Sequence, residues 1–316
     1  AEAEAHALDI QGITNSEGAG ASATKGAITL ANTDGFVGHY KSSNFGCSIS
    51  VIAGRGTAME RDYAWTSRRH FEDMESPYKI AREAAERTLK KLNPRKVKSC
   101  EIPVVYDPRV SRTLVGHLAS AINGASIARK TSFLLELMGK QIFSNNINIM
   151  DNPHILRGPS SRPFDGEGVR NAPLEIISNG VLKNWILDSS SARQLGLNSN
   201  ARAGRGTSSP PSPSTSNLFM EAGNISVEDL IGDIKNGFYV TELIGSSVNG
   251  ITGDYSRGAS GFWIENGKLS FPVNEITIAS NLKIMFMNLT AADNLEIKYG
   301  TDAPTVRIDK MMLAGN

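Results

Sequence analysis

Residues 111–124 read SRTLVGHLASAING, an apolar run with a single imidazole, His117, in its middle. An imidazole can act as a metal ligand, a general base or a proton-sensitive group, but each role needs partners. Catalytic zinc takes three protein ligands and a water, and a helix of the form HExxH supplies two imidazoles one turn apart with the carboxylate that activates that water. No such helix occurs here: His6, His39, His70, His117 and His154 stand singly, and Cys47 and Cys100 form no CxxC pair. The serine of GASGFW (258–263) lies between glycines but lacks the GxSxG elbow of a hydrolase. There is no GxxxxGK[ST] phosphate loop, and neither GRGTAM nor RAGRGT opens a helix after a strand as a dinucleotide fingerprint must. His117 is thus either a ligand whose partners lie elsewhere in the chain or a histidine of the core.

The elements around these residues follow from patterning. GAITLANTDGFVGHY alternates about a turn at 32–35, and CSISVIAGRGTAMERDYAWTS alternates about Gly54 and Gly56, which predicts an antiparallel meander. Ser76-Pro77 opens a helix with Ile80, Ala84, Ala85, Leu89 and Leu92 on one side and charges on the other, closed by Asn93-Pro94. After NPRKVKS, which reads as a domain linker, CEIPVVYD predicts a buried strand and the His117 segment a helix, with a second helix over SIARKTSFLLELMGKQIF (126–143). Asn179-Gly180 and Asn266-Gly267 each sit between alternating apolar residues and predict hairpins. Residues 198–219, rich in Gly, Ser and Pro without periodicity, predict a long mobile loop. Ser226 and Asp229 open a further helix that Asn236-Gly237 closes, and TVRIDKMML predicts a final strand. Hairpins outnumber βαβ patterns, so the fold class is α+β, with antiparallel sheets and a few helices.

Composition narrows the function classes. The chain has 316 residues, 40% of them hydrophobic, enough for a sizeable core and two domains. With 33 basic against 32 acidic residues, the net charge of +1 provides no field to gather nucleic acid or an anionic membrane. No apolar stretch reaches the roughly 18 residues of a membrane helix, and the first residues lack the pattern of a signal peptide. Two isolated cysteines fit a reducing compartment, so the expected location is the cytoplasm. The chain does not begin with Met and is expected to start inside a longer protein.

Five segments carry a resemblance. MERDYAWTSRR (59–69), GHLASAINGASIARKTSFL (116–134), PFDGEGVRN (163–171), SSSARQLGL (189–197) and VNGITGDYSRGASGFWIENG (248–267) together resemble the PmbA (TldE) branch of the TldD/PmbA family, along nearly the whole chain. That family is a two-subunit peptidase system in which the TldD subunit carries an HExxxH helix and a C-terminal cysteine as zinc ligands, with the glutamate as catalytic carboxylate. Laid on RTLVGH, the motif puts Arg112 at the first histidine, Thr113 at the glutamate and His117 at the second histidine. Arginine offers no lone pair, threonine is no general base, and no cysteine follows Cys100. His117 then reads as a relic or a structural residue. Asp165, Glu167 and His154 are the conceivable substitute ligands, and their simpler reading is a loop aspartate, a turn glutamate and a surface histidine.

The resemblance implies a division into residues 1–98, the later part of the N-terminal region, and 99–316, the C-terminal domain, with a leading portion missing. It implies a non-catalytic subunit with no cofactor of its own, paired with a TldD-like partner that holds zinc and cuts short or unfolded peptides such as peptide-antibiotic precursors and antitoxins; "modulator of DNA gyrase" is another label of the family. Gly253, Asp254, Tyr255, Arg257 and Gly258 are the candidate peptide-binding residues, with a plain glycine-rich hairpin connection as the alternative and Asp254–Arg257 as a conceivable ion pair. Two further functions stay open: an active homomeric metallopeptidase with an unrecognised metal site, and a homodimeric peptide-binding or scaffold protein.

Overall fold

Small side chains in the first 90 residues set the first packing unit. The computed structural model describes residues 1–245 and 247–315, and the chain divides into two units. Unit 1 comprises Ala1–Ile28, Lys41–Lys96 and Phe271–Asn274. It is built from α1 (Glu2–Leu8), β1 (Ile13–Ala31), β2 (Val37–Ala53), β3 (Glu60–Arg68) and α2 (Pro77–Lys90), with the three strands in the order β1-β2-β3. β2 and β3 are antiparallel and in register from Phe45 opposite Arg68 to Ala53 opposite Glu60. Ala81 and Ala84 of α2 and Ala3 and Ala7 of α1 let these helices approach Ile49, Val51 and Ala64 of the sheet and share one core with Ile80. The Ser76 hydroxyl accepts the Lys79 amide at 3.2 Å, the N-cap read from the sequence.

Unit 2 comprises Thr29–Tyr40, Val97–Ser270 and Glu275–Asn316. Its 29–40 piece, the tip of the β1–β2 hairpin, is turned by the Asn32 side chain, which accepts the amides of Asp34 and Phe36 at 3.1 and 3.0 Å. Phe36 and Tyr40 meet Phe164 edge-on, with centroids 5.0 and 5.3 Å apart.

The remaining elements follow in chain order: β4 (Cys100–Tyr106), α3 (Pro108–Ala121), α4 (Gly124–Ala128), β5 (Ile149–Asp151), β6 (Leu174–Ser178), β7 (Val181–Leu182) and α5 (Ser189–Leu195). Then come β8 (Ala203–Gly204), β9 (Ser212–Pro213), β10 (Leu218–Met220), α6 (Val227–Gly232), β11 (Asn236–Ile244), β12 (Asp254–Glu265) and β13 (Lys268–Asn281). The chain finishes with α7 (Leu282–Met287), β14 (Leu289–Ala291), β15 (Thr301–Asp302) and β16 (Val306–Ala314). One sheet runs β13-β12-β11-β4-β16-β14, and β13 also pairs with β16, so five strands close on themselves. β4 is parallel to β11 and antiparallel to β16. A second sheet runs β15-β10-β5-β6-β7. The fold is α+β with mostly antiparallel sheets.

Three local expectations need correction. The helix foreseen over 126–143 is confined to α4: Lys130 turns to φ +57°, and Phe133, Leu134, Ile142 and Phe143 are buried by irregular chain instead. There the Ser132 hydroxyl donates to the Ala121 carbonyl at 2.6 Å and accepts the Leu134 amide at 3.0 Å, which replaces the helical bonds. Asn236-Gly237 does not close α6, which ends at Gly232 with Asp233 as its C-cap; it starts β11, where a Cβ on Gly237 would lie 3.0 Å from the Pro103 carbonyl of the neighbouring strand. Residues 198–219 are not a loose loop: they contain β8, β9 and the start of β10, and only 205–210 form an exposed tip.

Candidate functional site

The helix that carries His117 is firmly seated. The Asp107 carboxylate caps the Arg109 amide of α3 at 2.9 Å, Pro108 occupies the first turn, and Val110, Leu114, Val115 and Leu118 are buried. The Ser111 hydroxyl, fully buried, donates to the Pro304 carbonyl at 2.7 Å and fixes the helix against the chain leading into β16.

On this helix the first two positions of the degenerate motif serve the fold. The Arg112 guanidinium carbon lies 4.5 Å from the centroid of the Tyr299 ring, and its charge acts on Asp302, whose carboxylate accepts the Tyr299 and Gly300 amides. The Thr113 hydroxyl donates back into its own helix, to the Val110 carbonyl at 2.6 Å. His117 is different. Its ring stands edge-on to Tyr255, with centroids 6.0 Å apart, and its Nε2 is buried without a hydrogen-bond partner. Burial first, and the nearby positive charge of Arg257 second, hold its pKa below the ordinary 6.5, so the ring is neutral at pH 7.

Tyr255 and Arg257 are two residues apart on β12 and leave the strand on one face. Tyr255 is 1% exposed and its hydroxyl is likewise without a partner of proper geometry. Burial pushes its phenol up to about 12, against the pull of the Tyr106 hydroxyl and of Arg257. Tyr106, at the end of β4 and wholly buried, donates to the Met311 sulfur at 3.5 Å, and burial raises its pKa well above the ordinary phenol value. The Arg257 Nε donates to the Ile244 carbonyl at 3.4 Å.

Of the other candidate peptide-binding residues, Gly253 ends the turn before β12, and Asp254 and Gly258 lie in the strand itself. Gly253 takes φ +86° and bonds to the Asn249 carbonyl at 2.8 Å, a conformation that favours glycine. Gly258 packs on the Ile244 backbone and side chain. The Asp254 carboxylate accepts from Thr252 Oγ1 at 2.6 Å and Asn281 Nδ2 at 3.0 Å, and those two bonds hold its pKa below the usual carboxylate value. An Asp254–Arg257 pair does not form, because positions three apart on a strand face opposite ways. The structure therefore gathers His117, Tyr255 and Arg257. It adds Tyr106, which the sequence reading missed; its parity with Val104 on a buried strand was the only available sign.

The conceivable substitute ligands are occupied elsewhere. Asp165 is buried and accepts the amides of Glu167, Val169 and Ala203 at 2.9, 2.9 and 3.1 Å. Glu167 accepts both the amide and the hydroxyl of Ser189, and His154 Nε2 lies 2.8 Å from the Asn171 side-chain oxygen. No group of three or more His, Cys, Asp or Glu side chains could hold a metal ion among the described residues. Arg112, Thr113 and His117 do not fit a zinc ion: one neutral imidazole, a cation and a hydroxyl already spent on its helix make no ligand set. No helix among the described residues is long and apolar enough to cross a membrane.

Comparison with known proteins places the chain in a family. The family model of the PmbA/TldA metallopeptidase C-terminal domain matches residues 99–315, and that of the central domain matches residues 1–92. The chain belongs to the PmbA/TldD family. Metalloprotease PmbA of Escherichia coli O157:H7 is 41% identical over 304 residues, which is 96% of this chain and 66% of that protein. The Metalloprotease PmbA homolog of Haemophilus influenzae is 38% identical, with the same 96% and 66% covered. The chain thus spans about two thirds of the length of these relatives. A crystal structure from Bacteroides thetaiotaomicron that carries the modulator-of-DNA-gyrase label superposes with TM-score 0.88 at 29% identity, over 99% of this chain and 70% of that one. TldE from Thermococcus kodakarensis shares the fold at TM-score 0.89 and 21% identity, over 99% and 72%.

Proposed function

We propose that this chain is the non-catalytic, peptide-handling subunit of a PmbA/TldD-type peptidase, and that a TldD-like partner supplies the zinc and the catalytic carboxylate. The observation that carries the reading is the state of the motif helix. Arg112 stacks on Tyr299 and Thr113 bonds to Val110, where a ligand and a general base would have to stand. A guanidinium stays protonated and repels a divalent cation, and a hydroxyl committed to its own helix cannot take a proton from water. The proposed substrates are short or unfolded peptides, including peptide-antibiotic precursors and antitoxins.

The family contains TldD members as well as PmbA members: the Metalloprotease TldD homolog of Haemophilus influenzae is 27% identical over 218 residues. Their coexistence supports a division of labour between two related chains.

The test is a peptidase assay on a fluorogenic unfolded peptide. The chain alone is expected to be inactive with zinc, cobalt or manganese, and activity is expected once a TldD-like subunit with an intact HExxxH helix is added. Cleavage by the chain alone, stimulated by any of these metals, would overturn the reading.

A further inference from the structure

We propose that Arg257, Tyr255 and His117 form a receptor for a carboxylate, and that the carboxylate is the C-terminus of a short peptide. The identity of the ligand as a peptide rests on the function proposed above; the preference for a carboxylate rests on the side chains themselves.

The site is rich in donors and poor in acceptors. Arg257 has five N–H groups, and the single bond recorded for them among the described residues is that from Nε to the Ile244 carbonyl. The terminal nitrogens of its guanidinium are left as a planar fork on a side chain that is partly exposed. On the same face of β12, the Tyr255 hydroxyl is buried without an acceptor for its proton among the described residues, and the Tyr106 hydroxyl that acts on it donates to the thioether of Met311 at 3.5 Å. His117 closes the group edge-on to Tyr255 with its Nε2 unpartnered, and as the Nε2–H tautomer it adds another donor. Asp254, the nearest acid along the strand, is held by Thr252 and Asn281 on the opposite face and does not neutralise the guanidinium.

Buried polar groups left without partners cost stability, and such a cost persists where a ligand completes the bonding. A carboxylate fits what is missing. Its two oxygens match the guanidinium fork, its remaining lone pairs suit a phenol and an imidazole N–H, and its single negative charge matches the positive charge of Arg257. A dianionic phosphate would ordinarily draw on several cations or on a helix N-terminus.

The experiment compares two N-acetylated, fluorescently labelled pentapeptides of the same sequence, without acidic side chains, one ending in a free carboxylate and one in an amide. Binding to the whole chain is followed by anisotropy. The free acid is expected to bind about tenfold more tightly, the scale of one charge-assisted bidentate contact. That preference should vanish in Arg257→Met, survive in part in Arg257→Lys, and shrink a few-fold in Tyr255→Phe, which removes only the hydroxyl and retains the ring packing. Thermal midpoints of the variants establish that they fold. Equal binding of acid and amide, or a preference unchanged in Arg257→Met, would overturn the receptor while leaving a peptide-handling chain in place. Failure of both peptides to bind would overturn the receptor together with the reading it rests on. An amidated peptide with one internal glutamate that binds as well as the free acid would replace the C-terminus by a side-chain carboxylate and so overturn the assignment of the ligand.

Discussion

Arg112 is occupied in holding a loop: stacked on Tyr299 and acting on Asp302, it helps fix the chain just before β16. His117, five residues on, keeps an imidazole that has no partner and that burial, then Arg257, holds neutral. Its folded-state pKa is lowered relative to 6.5, so between that value and the lower folded value the unfolded chain binds more protons. Stability is therefore expected to fall as pH drops through this window and to be insensitive to His117 above it. Observing the His117 ring by NMR should give a midpoint below 6.5, and His117→Asn should remove that part of the pH dependence of unfolding; a midpoint above 6.5 would contradict the assigned environment. The residue types alone disclosed that His117 lacked its ligand set, because a missing imidazole and carboxylate are visible as letters. They did not disclose its neighbours. Tyr255 and Tyr106 come together through strand pairing between distant segments, and no local spacing encodes that.

At the scale of elements, the 198–219 segment shows how composition can mislead. Gly, Ser and Pro dominate it, yet Arg202 is 1% exposed, forms an ion pair with the fully buried Asp151 and donates to the carbonyls of Ala172 and Asp151. Asp151 in turn accepts both the amide and the hydroxyl of Ser216, at 2.7 and 2.9 Å, so one ion pair ties both ends of the segment to β5. Removing one partner leaves the other charged and buried. Arg202→Leu is expected to destabilise unit 2 by about 3–5 kcal/mol in denaturant unfolding; a loss below about 1 kcal/mol would show that the pair contributes little beyond what solvent could replace. The hairpins at Asn179-Gly180 and Asn266-Gly267 were legible because both asparagines take φ +49° ahead of a glycine at positive φ, which is local chemistry. The helix foreseen over 126–143 was not, because its apolar residues are buried by irregular chain, and propensity carries no information about that.

At the scale of the molecule, the closed sheet of unit 2 places β4 between β11 and β16, pairing Val104 with Phe238 on one side and with Ile308 on the other. Such separations in sequence are beyond periodicity, whereas the α+β class and the antiparallel meander were readable from turns and alternation. The central claim, proposed above, is that this chain carries the family fold without a zinc site of its own. The most direct test is the zinc content of the purified chain after dialysis against micromolar zinc, measured by elemental analysis alongside His117→Ala. The account predicts far less than one zinc per chain, with no change in the variant. A content near one zinc per chain that disappears in His117→Ala would contradict it.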